Sequence, residues 1–277
     1  MSQASIVDVL GSHPTASAFG TAWLTHDDHV TASAVAHRAL VAAKPPSSET
    51  RERLKEIVLK HHASPEKLAR VDAIKRIWIK RGFPATAKGL KLFPRNEKTR
   101  KGNFAESVFA EYLALAGKGE TLVYRLRFNP NVDQSMKGDD VLTFSFKGST
   151  CEIVVGEAKF RSSPSKAVVL QIMKGLETAY RAGVPMSLIF VADRLFEAND
   201  PLATKVLESS LQIIQKRATL TYAGLLMTGT SAVDHIDKHC PASIPRSGIV
   251  SMNITNAEDT IEQCFSDLER EYGVDAG

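Results

Sequence analysis

Glu106, the pair Asp139 and Asp140, and the pair Glu157 and Lys159 put carboxylates and an amine at intervals between positions 106 and 159, separated by strand-like runs. Such a set suits a hard divalent cation bound through oxygen. At a phosphodiester, a cation of that kind polarises the phosphoryl oxygen, lowers the pKa of an attacking water and offsets developing charge. The Glu-x-Lys spacing alone is nonspecific, since an ion pair at a strand edge produces it equally well. Its setting carries the weight. CEIVVGEAKF, residues 151–160, is an apolar run of strand length, and strand side chains alternate faces with period two. Glu157 and Lys159 therefore project together, on the face of Cys151, Ile153 and Val155, and buried charges are costly unless paired or coordinated.

The upstream acids have their own ambiguities. Asp140 shares parity with Leu142, Phe144 and Phe146, so it is the expected ligand, and Asp139 is expected to be solvated or bound to a backbone amide. Asn103-x-x-Glu106 also reads as a helix capping box, which leaves Glu106 open between a cap and the site.

The elements that must position these residues read as α/β. A helix is expected over 103–116, then a strand at TLVYRLRF (121–128) and a hairpin of VLTFSF and CEIVV across KGST. SKAVVLQIMKGLETAYRAG is an amphipathic helix ended by Gly183 and Pro185, and MSLIFVA (186–192) reads as a buried strand. A helix near 202–217, strands at 221–227 and 247–254 and a final helix follow. The first forty-odd residues, through VAHRALVAAKPPSS, show no clean period, and Pro45, Pro46, Ser47 and Ser48 read as a short linker. Leu54, Ile57 and Val58 recur at helical spacing. Ser64 and Pro65 open a second helix with the stripe Leu68, Val71, Ile74 and Trp78. The expected division is a helical, basic N-terminal region over 1–100 for nucleic-acid or partner contact, and a second domain over 101–277.

The net charge of +4 conceals an asymmetry: residues 60–101 hold 13 Lys or Arg against Glu66, Asp72 and Glu97. Interleaved with Trp78, Phe83 and Phe93, the block is the footprint of a phosphate-contact surface, although a solvated helix face has the same composition. The candidate contacts are Lys75, Arg76, Lys80, Arg81, Lys88, Lys91, Arg95, Lys98, Arg100 and Lys101, with Arg161 from the segment after the lysine strand. No run approaches the roughly 20 apolar residues of a membrane span and no signal-peptide pattern opens the chain, so the protein is expected to be cytoplasmic. Three scattered cysteines, Cys151, Cys240 and Cys264, argue against a disulfide framework or thiolate zinc site. His235 and His239 have helical ligand spacing without the glutamate of HExxH, and HDDH at 26–29 reads as a polar turn. The absence of GxxxxGK[ST] means that any nucleotide-driven motor must come from a partner.

The order helix, strand, strand with Asp, strand with Glu-x-Lys, helix, strand over 103–193 resembles the PD-(D/E)xK, restriction-endonuclease-like fold with its αβββαβ core. GNFAE, KGDDVL and GEAKFR in these places look like the HamA family, the nuclease subunit of the Hachiman antiphage defence system. The resemblance implies a DNase using Mg²⁺, or Mn²⁺, held by Asp140, Glu157 and the Ala158 carbonyl, with Glu106 completing the shell through a water or a second metal. It implies that Lys159 orients the nucleophilic water or stabilises the transition state, that Gln171 approaches the site from the following helix, and that a HamB-like helicase subunit exerts control. A stand-alone restriction or repair nuclease and a non-catalytic nucleic-acid-binding adaptor are the alternatives.

Overall fold

The strand that carries Glu157 and Lys159 is an interior strand of a six-stranded sheet in a computed structural model that describes residues 5–15, 23–42, 44–148 and 150–272. In chain order the elements are α1 (Ile6–Leu10), β1 (Thr25–Val30), β2 (Ala36–Ala42), α2 (Ser48–His62), α3 (Pro65–Lys80), α4 (Pro84–Gly89) and α5 (Glu97–Leu115). A 3-10 turn (Arg125–Phe128), β3 (Val141–Lys147), β4 (Thr150–Arg161), α6 (Lys166–Ala182), α7 (Ser187–Glu197), α8 (Leu202–Ile214), β5 (Thr219–Thr228), α9 (Val233–His239), β6 (Ser247–Ile254) and α10 (Ala257–Tyr272) complete it.

The sheet order is β1-β2-β6-β5-β4-β3. The four inner strands run parallel to one another, and β1 and β3 close the two edges antiparallel. Helices cover both faces, as a mostly parallel sheet requires. On one side Phe104, Val108 and Phe109 of α5, Leu54 and Ile57 of α2 and Phe265 of α10 pack against Val154, Leu225 and Val250. On the other, Ile172 and Leu176 of α6 and Leu188 and Val191 of α7 pack against Ile153, Val155 and Leu226. The protein is thus a mixed α/β structure. Among the described residues no helix is long and apolar enough to cross a membrane, and the three cysteines are free and buried.

The β3–β4 hairpin forms as expected, in register from Val141 opposite Gly156 to Lys147 opposite Thr150, and α3 opens with the Ser64 cap and Pro65. Several elements differ from expectation. MSLIFVA is not a strand: extended through DRLFE it is α7, which buries Leu188, Val191, Ala192 and Leu195 at helical spacing and leaves Ile189 and Phe196 exposed. TLVYRLRF is not a strand either. Among the described residues the outer edge of β3 takes only the bridge Glu120–Phe144, after which the chain turns into the 3-10 element and buries Leu126. HDDH is not a turn but the body of β1. The segment with no clean period contains β2, which is buried on both faces between β1 and β6 and so has no alternation to show. β1 and β2 belong to the same sheet as the strands of 141–254.

Candidate active site

After Glu152, which pairs with Lys118 near its start, β4 is apolar on both faces until its C-terminal third. Val154, Ala158 and Phe160 face α5, while Ile153 and Val155 face α6. Glu157 and Lys159 continue the α6 face, and their pairing is direct: Lys159 Nζ lies 2.5 Å from Glu157 Oε1. The hairpin register places Asp140, the residue before β3, across from Glu157. Lys159 Nζ is also 3.4 Å from Asp140 Oδ2, and the Ala158 N–H donates to the same oxygen at 3.0 Å. The N–H and C=O of one strand residue point the same way, so the Ala158 carbonyl is directed toward Asp140. The cluster lies at the carboxyl end of a strand in a parallel sheet, where ligand sites of open α/β sheets form.

Glu106 reaches this cluster from α5 through a residue that the motifs do not announce. Arg125 Nη2 donates to Glu106 Oε2 at 2.9 Å and to Asp140 Oδ1 at 3.4 Å. The helix begins at Glu97, capped by Asn96, so Asn103 is interior and bonds His62; the capping role for Glu106 disappears. Arg125 sits in the run expected to be a strand, and the one signal for it was a charge inside an apolar segment, which needs a partner when buried. Asp139 takes the other path: its Oδ2 accepts from the Ser187 N–H at 2.9 Å, and the Ser187 Oγ accepts from the Asp139 N–H at 3.0 Å. It caps α7 and so fixes the backbone beside Asp140.

The electrostatics show how crowded the carboxylates are. Burial and then the charge of Asp140 push Glu106 up to about 7, against the opposing pull of Arg125. Burial and Asp140 likewise raise Glu157. Burial alone would depress the Lys159 ammonium, but Asp140 and Glu157 hold it above the ordinary lysine value. α6 crosses directly over Glu157: a Cβ on Gly175 would lie 2.8 Å from the Glu157 carboxyl carbon.

Three carboxylates and an outward carbonyl, with no thiolate or imidazole among them, are donor types that suit a hard divalent cation. The residues fit such an ion in chemistry. In geometry the two cationic side chains stand among the carboxylates, and among the described residues no three His, Cys, Asp or Glu side chains converge into a metal cage.

The remaining candidates divide. Gln171 is exposed on α6 and its Oε1 accepts from Arg161 at 2.9 Å, an arrangement in which it bonds none of the carboxylates. Arg161 also donates to the Phe160 carbonyl. Lys75 and Arg100 are not surface residues. Lys75 is buried against the Tyr272 carbonyl, and Arg100 is buried between Glu262 and Glu269 with its guanidinium over Phe265. Their charges support the fold. Lys101 pairs with Glu97 and Glu258, Arg76 with Asp72 and Lys91 with Asp133. Lys80, Arg81, Arg95 and Lys98 are exposed. Lys88 lies on α4 and its side chain is outside the described residues. Of the interleaved aromatics Phe83 is exposed, Trp78 half-buried and Phe93 in the core. Asp133 also accepts from the Arg95 N–H, which ties the connection carrying Arg95 to the loop that ends in Asp139 and Asp140.

His235 and His239 lie on α9 with ring centroids 6.3 Å apart.

A family model described as HamA matches residues 17–268 of the chain. The Hachiman protein HamA of Bacillus cereus is 33% identical over 222 residues, 80% of this chain and 79% of that protein.

Proposed function

Because the chain belongs to the HamA family, we propose that it is the nuclease component of a Hachiman-type antiviral defence system, a metal-dependent DNase with a PD-(D/E)xK-type site. The observation that carries this reading is Lys159 placed between Glu157 on its own strand and Asp140 on the neighbouring one, at the carboxyl end of β4.

Asp140, Glu157 and the Ala158 carbonyl would hold Mg²⁺ or Mn²⁺, with Glu106 nearby on α5 as a further oxygen donor. The bound ion supplies a polarised phosphoryl oxygen and an activated water. Lys159 remains protonated between its two carboxylates and stabilises the negative charge that grows on the phosphoryl group. Ser187, through Asp139, keeps the Asp140 backbone in place. Lys80, Arg81, Arg95 and Lys98 contribute contacts to the phosphate backbone that carry no sequence information. Arg161 ends β4, and Gln171 positions its guanidinium. A chain without a phosphate-binding GxxxxGK[ST] loop needs a helicase subunit of the HamB kind for nucleotide-driven movement on DNA, and control by that subunit protects the host from a free nuclease.

The test is nicking of supercoiled plasmid by the purified chain and by Lys159→Ala, each with Mg²⁺ or EDTA and with or without the helicase. Cleavage that requires both the metal and Lys159 is the expected result. A folded protein that cuts in none of these mixtures would sink the nuclease reading.

A further inference from the structure

Arg125 belongs to the candidate site by position, yet the roles assigned above to the metal ligands and Lys159 leave it unused. One of its Nη atoms serves Glu106 and Asp140 together. Nη1 makes a long 3.4 Å contact to the Lys137 carbonyl, and Nε is buried with no partner. A buried guanidinium with an unmet donor is held by charge more than by a complete hydrogen-bond set.

The formal charges show what the guanidinium substitutes for. Glu106, Asp140 and Glu157 bring three negative charges, and Lys159 and Arg125 return only two. With Arg125 withdrawn and a divalent ion among the same carboxylates, the sum is neutral. With both cations and the ion present, like charges crowd a partly buried site.

The segment that carries Arg125 is held by helices more than by the sheet: Arg127 donates to the Lys60 carbonyl, Lys67 to the Arg127 carbonyl, and Phe128 meets Phe190. Between α5 and β3, among the described residues, it makes a single β-bridge, Glu120 to Phe144. Near its two ends, Gly119 and Gly138 have φ of 92° and 115°. Neither tolerates a side chain: a Cβ would come within 2.6 Å of the Phe144 backbone at the first and 2.7 Å of Ser187 Oγ at the second. The cavity beside Glu106, Arg125 and Asp140 has a volume of about 30 Å³, the scale of one water and not of a four-atom guanidinium. Arg125 therefore cannot swing aside within the site; its segment has to move.

We propose that Arg125 is an intramolecular latch, whose guanidinium stands in the place of the divalent cation until movement of the 120–138 segment withdraws it. The proposal rests on the metal-dependent reading of the site. Glu106 and Asp140 then present their oxygens to a cation only in the released state, and a partner that draws the segment away arms the nuclease.

Mn²⁺ binding to the full chain, followed by electron paramagnetic resonance, tests this without a cleavage assay. Arg125→Gln should bind Mn²⁺ at least about ten-fold more tightly than the unaltered protein. Lys137→Gln, which removes a charge from the same segment without touching the carboxylates, should change affinity by less than about two-fold. Folded Arg125→Gln that binds Mn²⁺ no more tightly than the parent overturns the latch, as does equal tightening by Lys137→Gln. Binding that is lost in Glu157→Gln but indifferent to Arg125 overturns the latch alone, whereas no binding by parent or Arg125→Gln overturns the metal site beneath it. Should Arg125→Gln not fold, Mg²⁺ titration of the parent reads the Arg125 Nε–H resonance by NMR. It should move as the Glu157-dependent site fills while that of Arg100 does not, and an unmoved Arg125 resonance overturns the latch.

Discussion

Glu106 is held where its ionised form is disfavoured, and the direction of that shift fixes a pH dependence. Its carboxyl is pushed up to about 7, so the folded state binds the proton more tightly than the unfolded one. Its contribution to stability is complete below the ordinary carboxylate pKa and is lost as pH rises through about 7. Glu106→Gln, which imitates the protonated form, should stabilise the protein at pH 8 relative to pH 4.5 by roughly 2 kcal/mol, read by denaturant unfolding at the two pH values. Glu111 runs the other way. Burial by itself would raise it, but His61 and Lys60 bring it down to about 2. The stability it supplies is present above pH 4.5 and declines as pH falls toward 2. Acid sensitivity should therefore be blunted in Glu111→Gln even though that variant is less stable at neutral pH. Lys159→Ala removes the charge between Glu157 and Asp140 and should reduce plasmid cleavage by about 10²–10³-fold with little change in fold.

At the scale of elements, α6 and α7 set the site's tolerance. Gly175→Ala would be expected to stabilise a free helix by about 1 kcal/mol, but here the methyl group meets the Glu157 carboxylate. The expected outcome is cleavage lowered about ten- to hundred-fold with no gain in melting temperature; undiminished cleavage would show that Glu157 need not lie under α6. Asp139→Ala should cost about 1 kcal/mol by uncapping α7, measured by thermal or denaturant unfolding. These elements also mark where reading the chain succeeded. The β3–β4 hairpin and the common face of Glu157, Lys159 and Asp140 were legible because period-two alternation and a short polar turn leave few options. α7 was not, because MSLIFVA, apolar but for Ser187, has no period; only the longer run through Leu195 shows one. The strand expected at 121–128 alternates well, yet alternation does not say whether a sheet edge will accept a partner. Arg125 was lost with it, since its acids lie 15 and 19 positions away. β2 was illegible for the opposite reason, being buried on both faces.

Across the whole molecule, positive charge stands in two settings that composition cannot separate. Arg100 is buried between Glu262 and Glu269, so Arg100→Ala should lower stability by about 2 kcal/mol or more. Lys80 and Arg81 are exposed at the end of α3. Their joint replacement by Ala should leave the melting temperature unchanged and reduce the salt dependence of DNA binding by roughly one slope unit for each phosphate that is no longer neutralised.

The sheet joins distant parts of the chain: β2 aligns with β6, Ala36 beside Gly248. During synthesis the β1–β2 hairpin leaves the ribosome with one edge unpaired, and at 5–20 residues per second its partner strand follows roughly 10–40 s later. For that interval the nascent protein exposes a hydrogen-bonding edge that nascent-chain chaperones would need to shield. A polypeptide released before β6 lacks the strand that joins its two ends.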